Sequence, residues 1–240
     1  MLSHLGIYRV SFRPILDKVV QRDSEDLIQQ IRKKGLIESE DILPGLTYYR
    51  LTAEGAIQAG IRGDRAEPLT DDLPAAIAVL WFCFMGKRRR VRVDLNDARA
   101  ASFKREFLAK KSANLPVHCI EPLEDKDRPQ QIVYRVYTPG SNVKTPEIRR
   151  VTKEFIENAC AAGLYQRINL ANRNFGLAIV LEGEDRRTAL WEHLKGPSTS
   201  PAPDKETAAQ ANLTRQARIV VETWPGIGRL KEALYANKSK

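Results

Sequence analysis

The sequence predicts an α+β chain: an N-terminal winged helix-turn-helix over 1–62, a small α/β domain over 73–195, and a C-terminal helical extension over 204–240. Three observations predict it. Three short helix patterns, a hairpin signal and a capped closing helix follow one another before residue 62, the order of a winged helix. Strand and helix patterns then alternate from about residue 90 to 194, which indicates an α/β domain. The polar stretch 63–72 and the Pro/Ser-rich stretch 196–203 read as linkers between these parts.

In order along the chain, Leu2, Leu5 and Ile7 mark a first helix from Leu2 to Arg9. Ser11 can N-cap a second, with Pro14 in its tolerant first turn and Ile15, Leu16, Val19 and Val20 as its apolar stripe. Asp23 or Ser24 can cap a third, where Glu25 and Asp26 suit the positive helix end and Leu27, Ile28 and Ile31 face the core. Gly35 ends it. Leu36 to Glu40 and Thr47 to Leu51 flank Pro44-Gly45 as a hairpin, and Thr52 caps a closing helix from Ala53 to Ala59.

The second part begins with Pro74 to Met85, an apolar run whose length suits a buried helix. Arg90 to Leu95 and Ile132 to Tyr137 read as strands, and Ala98 to Lys111 as a basic helix. A helix from Thr145 to about Ala162, a buried strand from Leu177 to Leu181 and a helix from Glu184 to Leu194 follow. Asp204 to Thr223 and Ile227 to Tyr235 read as helices of the C-terminal extension.

Composition sets bounds on function. Hydrophobic residues make up 42% of the 240, enough to fill a core. No apolar run approaches the ~18 residues that span a bilayer, and Met1 to Val10 has no signal-peptide core. Cys83, Cys119 and Cys160 show no CxxC spacing and read as reduced thiols of a cytoplasmic protein, with neither a metal site nor a cofactor implied. The net charge of +9 favours a polyanionic partner. Its distribution is uneven: residues 1–62 carry nine Lys/Arg against eight Asp/Glu, whereas 86–111 carry ten against three.

The strings Asp26 to Leu36, "DLIQQIRKKGL", and Tyr49 to Gly55, "YRLTAEG", followed by an α/β domain, resemble the replication-relaxation family of plasmids and mobile elements. The resemblance covers about residues 1–195. It implies a winged helix followed by a domain related to restriction-endonuclease folds. Family members tend to carry an acid on the main strand of that domain. The strand here, Val133-Tyr134-Arg135-Val136-Tyr137-Thr138, carries none, so the resemblance implies the fold in a degenerate form.

The candidate site residues fall in two groups. Gln29, Gln30, Arg32 and Lys33 are the polar positions of the third helix, and Gln and Arg make paired contacts with adenine and guanine edges. Lys87, Arg88, Arg89 and Arg90, continued by Arg99, Lys104 and Arg105, could hold phosphates at the mouth of a strand without reading sequence. A metal-dependent nuclease would need converging carboxylates, for which Asp94, Asp97, Glu121 and Glu182 are the available acids. His118 beside Cys119 reads as a surface histidine next to a packing cysteine. The expected function is non-enzymatic binding of double-stranded DNA in replication, transfer or their control, with homodimerisation compatible. The alternatives are a nuclease and a docking protein within a nucleoprotein assembly, since winged helices also bind proteins.

Overall fold

The computed structural model describes residues 1–61, 66, 68, 69, 72–86, 88–93, 117–123, 130–161, 175–195 and 218–236. The chain is a mixed α+β protein with two sheets. It divides into two compact units, Met1–Phe84 with Pro225–Lys240, and Met85–Trp224. These bounds differ from the expected ones. The apolar helix at Leu73–Phe84 and the last helix, Ile227–Ala236, both group with the N-terminal unit.

The first unit runs α1 (Leu2–Tyr8), β1 (Ser11–Phe12), α2 (Arg13–Val20), α3 (Glu25–Lys33), β2 (Ile37–Leu43), β3 (Leu46–Leu51), α4 (Ala53–Gln58) and α5 (Leu73–Phe84). Its three strands form an antiparallel sheet in the order β1-β3-β2. The core gathers Leu5, Leu16, Ile28, Ile37, Leu51 and Ala56, one or two residues from nearly every element. Helical spacing and strand alternation therefore place each apolar stripe where the sequence puts it.

The motif Leu51-Thr52-x-x-Gly55 has a physical basis. The Gly55 amide donates to Thr52 Oγ1 at 3.0 Å, and that hydroxyl donates to the Gly35 carbonyl at 2.6 Å. A Cβ on Gly55 would lie 1.9 Å from the Leu36 carbonyl oxygen. Only glycine lets α4 come this close to the start of β2.

Two local expectations are corrected. Ser11 does not cap α2; it is buried in β1, its Oγ 3.0 Å from His4 Nε2, and Phe12 occupies the N-cap position. The stretch 63–72 is more than a linker. Among its described residues Ala66 and Leu69 are buried, and the Ala66 carbonyl accepts from Arg50 Nη1 at 2.9 Å.

The second unit contains β4 (Val91–Val93), β5 (Val117–Leu123), β6 (Gln130–Tyr137), α6 (Thr145–Ala161), β7 (Phe175–Glu182), α7 (Glu184–Lys195) and β8 (Arg218–Trp224); α8 (Ile227–Ala236) belongs to the first. The sheet order is β4-β5-β6-β7-β8. Its first three strands are antiparallel, and β6, β7 and β8 are parallel, joined through α6 and α7. Ile148 and Phe155 of α6 and Leu190 of α7 cover one face, against Val133, Phe175, Leu177, Ile179 and Leu181.

The helix expected from Asp204 to Thr223 is overturned over its described part. Residues 218–224 form β8, because the β-branched run Ile219-Val220-Val221 pairs in register with Leu177, Ala178 and Ile179. The rest of that helix, and the one expected from Ala98 to Lys111, lie outside the described residues.

Candidate nucleic-acid interface

The third helix is held firmly and leaves one polar face outside. Asp23 Oδ1 accepts from the Glu25 amide at 2.8 Å, which caps its first turn, while Ser24 Oγ and the Ser24 amide both donate to Asp17 Oδ1. Arg13 of α2 pairs with Asp23 at 3.0 Å and Glu25 at 2.8 Å. Ile28 is fully buried and Leu27 and Ile31 half-buried. Gln29, Gln30, Arg32 and Lys33 are all exposed, as is Lys34. Gln29 Nε2 donates to Glu25 Oε1 at 2.9 Å. The acids of the first turn are thus partly neutralised by Arg13, and the cations stand at the opposite, C-terminal end.

The hairpin is different in character. Glu38 lies across from Arg50, and Glu40 across from Tyr48. Arg50 binds Glu38 at 2.8 Å and Glu40 at 2.9 Å, and Tyr48 donates to Glu40 Oε2 at 2.6 Å. Hydrogen bonds from Tyr48 and Arg50 hold the Glu40 carboxyl below its usual range, and burial together with Glu40 pushes the Tyr48 phenol up to about 12. The strand cation is consumed within the hairpin, whose edge keeps Glu40 and Asp41 exposed.

Among the described residues of the basic run after Gly86, the cations do not all stand on one surface. Lys87, Arg99, Lys104 and Arg105 lie outside the described residues. Arg89 is exposed. Arg88 is exposed but donates to Glu121 Oε1 at 2.7 Å. Arg90, expected on the same surface, is only 3% exposed. Its Nε donates to Glu121 Oε2 at 2.8 Å and its Nη2 to Glu222 Oε1 at 2.7 Å, with the Tyr134 ring 5.7 Å from its guanidinium carbon. Burial works against its charge, but Glu222 and Glu121 outweigh that and raise its pKa. Arg90, just before β4, is turned inward, where the buried Glu121 and the half-buried Glu222 both accept from it.

The acids considered for a nuclease are accounted for in part. Asp94 and Asp97 lie outside the described residues, and Glu182 ends β7. Glu121, on β5, is 2% exposed, and both its oxygens accept from guanidinium groups. Among the described residues no three His, Cys, Asp or Glu side chains converge as metal ligands. His118 is not at the surface as expected; it is buried on β5, directly across from Arg135 of β6. Cys119 faces the other way and is buried as well.

Sequence reasoning did not single out Glu222 or Arg135. The available signals were an acid following the β-branched run of β8 and a lone cation inside the apolar run Ile132 to Tyr137. No family model, curated protein or solved structure matches this chain.

Proposed function

We propose that this chain is a non-enzymatic DNA-binding protein whose first unit is a winged helix-turn-helix that presents α3 to the major groove. The observation that carries the reading is the exposed set Gln29, Gln30, Arg32 and Lys33 on a helix whose other face is locked into the core. These side-chain types can read base edges in pairs, and Arg32, Lys33 and Lys34 concentrate positive charge at the end of the helix. The resemblance to the replication-relaxation family supports the same reading and suggests a role in replication or transfer of a mobile element.

The second unit supplies most of the basic charge, 25 Lys/Arg against 17 Asp/Glu, and would add non-specific affinity. A nuclease reading is weaker, because Glu121 is already neutralised by two arginines. Docking to a protein partner is the second reading. The acidic hairpin edge at Glu40 and Asp41 favours it, since a phosphate backbone would be repelled there. Among the described residues no helix is long and apolar enough to cross a membrane.

Selection of bound duplexes from a randomised pool tests the proposal. Enrichment of a defined site is expected, with affinity that falls as salt rises. Failure to enrich any sequence, together with salt-insensitive binding, would transfer the weight to protein docking. Incubation with Mg²⁺ and duplex should leave the strands intact.

A further inference from the structure

At the C-terminal end of β6 a cleft of about 230 Å³ opens between the sheet and α6, lined by Arg135, Val136, Tyr137, Thr138, Val151, Phe155 and Leu177. Arg135 shares the α6-facing side of β6 with Val133 and Tyr137, and its guanidinium carbon stands 6.0 Å from the centre of the Phe155 ring. It is half-buried, yet among the described residues no carboxylate pairs with it. This sets it apart from Arg90, which has two acids. A half-buried guanidinium with no described counter-charge is costly, and the structure places two acids beside each of the buried arginines Arg50 and Arg90. Burial alone pushes the Arg135 guanidinium below its ordinary range, with no carboxylate to offset it.

The surroundings are cationic as well. Arg186 of α7 donates through Nη2 to the Val143 carbonyl at 2.7 Å, and its Nη1 is buried without a hydrogen-bond partner among the described residues. Arg150 and Arg186 both act electrostatically on Tyr137. The nearby acid, Glu147, is exposed and lies 3.8 Å from Arg150. The cleft therefore combines a cation over an aromatic ring, the hydroxyl-bearing Thr138 and apolar walls from Val151 and Leu177. Guanidinium geometry suits paired hydrogen bonds to an oxyanion, and apolar walls suit a small organic group.

We propose that this cleft binds a phosphate monoester, with Arg135 pairing to the phosphoryl oxygens, Thr138 contributing a hydroxyl, and the organic group lying against Val151 and Leu177. The monoester could be a free small molecule or the 5′-phosphate end of a nucleic acid strand; the chemistry recognised is the same. The site is distinct from α3 and does not depend on the DNA-reading role given to that helix.

Thermal unfolding of the full chain tests it, with inorganic phosphate, phenyl phosphate, and an oligonucleotide with or without a 5′-phosphate as probes. Sodium chloride at equal ionic strength is the control. Phenyl phosphate at several times its dissociation constant should raise the melting temperature of the second unit by about 2–4 °C, and inorganic phosphate by less. The Arg135→Met variant should lose that shift. Without ligand it should melt no lower than the native chain, because it removes a cation that no described carboxylate neutralises. If Arg135→Met does not fold, Arg135→Lys serves instead. It keeps the charge but loses the planar fork, and should reduce the phenyl phosphate shift by half or more. A larger shift with the phosphorylated oligonucleotide than with its unphosphorylated twin would support the site and identify a strand end as the source; a shift with phenyl phosphate alone would support it with a small molecule. Equal shifts in the native chain and the Arg135 variant, or no shift with any probe, would overturn the proposal.

Discussion

The first unit carries 14 Lys/Arg against 13 Asp/Glu, and the second 25 against 17. The first is nearly neutral, and its structure sorts its charges locally: Arg13 is taken by Asp23 and Glu25, Arg50 by Glu38 and Glu40. What remains outside on α3 is a short cationic end beside two glutamines. The second unit is strongly basic, yet part of its charge is turned inward, where Arg90 joins Glu121 and Glu222. Net charge is therefore a poor guide to which cations stand at the surface. The nearly neutral unit has the better-defined polar face, and the basic unit uses one of its cations as a structural element.

The largest effect that would sharpen this comparison lies in the second unit. Glu121→Ala leaves the buried Arg90 with one acid in place of two. Breaking a buried pair from one side costs about 3–5 kcal/mol. We expect hydrogen-exchange protection of β5, β6 and β8 to fall by an amount near the low end of that range, because Arg90 keeps Glu222. Protection of α1 to α4 should be unchanged. Equal protection in β5 and β6 before and after the substitution would mean that the network is not structural, and would return Arg88 and Arg90 to the phosphate-binding role.

In the first unit the sharpest packing test is Gly55→Ala. The added methyl meets the Leu36 carbonyl oxygen rather than a yielding side chain. Overpacking of this kind costs about 1–3 kcal/mol, here concentrated in α4 and the start of β2. Denaturant unfolding should show a lower midpoint. An unchanged midpoint would mean that α4 does not close on Leu36 as described.

A pH test distinguishes the units by an effect confined to acid conditions. His4 is buried beside Tyr8 and Phe84, with ring centroids 4.8 and 5.1 Å away. Burial, and then the N-terminal ammonium, lower its pKa from 6.5 to about 4. The folded-state value lies below the unfolded one, so below pH 6.5 the unfolded chain binds a proton first. The contribution of neutral His4 is fully present above about pH 6.5 and is lost as the pH falls towards 4, a change of about 3 kcal/mol. Relative to the native chain, His4→Asn should flatten the acid side of the first unit's stability profile. Parallel profiles would show that His4 titrates normally.

The first unit was largely legible in the sequence because its signals are local. The hairpin at Pro44-Gly45, the Thr52 cap and the apolar stripes of α2 and α3 lie within a few residues of what they determine. The second unit was less so. β8 looked helical because its strand partner, β7, lies some forty residues earlier, and because Ile219 to Val221 is short. Arg90 looked like part of a surface run because its partners, Glu121 and Glu222, are 31 and 132 residues away. A run of like charges gives no sign of which member faces inward until the strand register is known. The exposed face of α3 was predictable from helical periodicity alone, whereas the cleft at Arg135 requires β5, β6, β7 and α6 to be assembled first.

Binding of the native chain, Gln29→Ala and Arg32→Ala, measured by fluorescence anisotropy on the selected duplex and on a random duplex at matched salt, addresses the central claim most directly. Each substitution should weaken binding to the selected duplex by about 1–3 kcal/mol, with random-duplex affinity little changed for Gln29→Ala and reduced by no more than one phosphate contact for Arg32→Ala. Equal losses on both duplexes, or no loss on either, would contradict a base-reading role for α3.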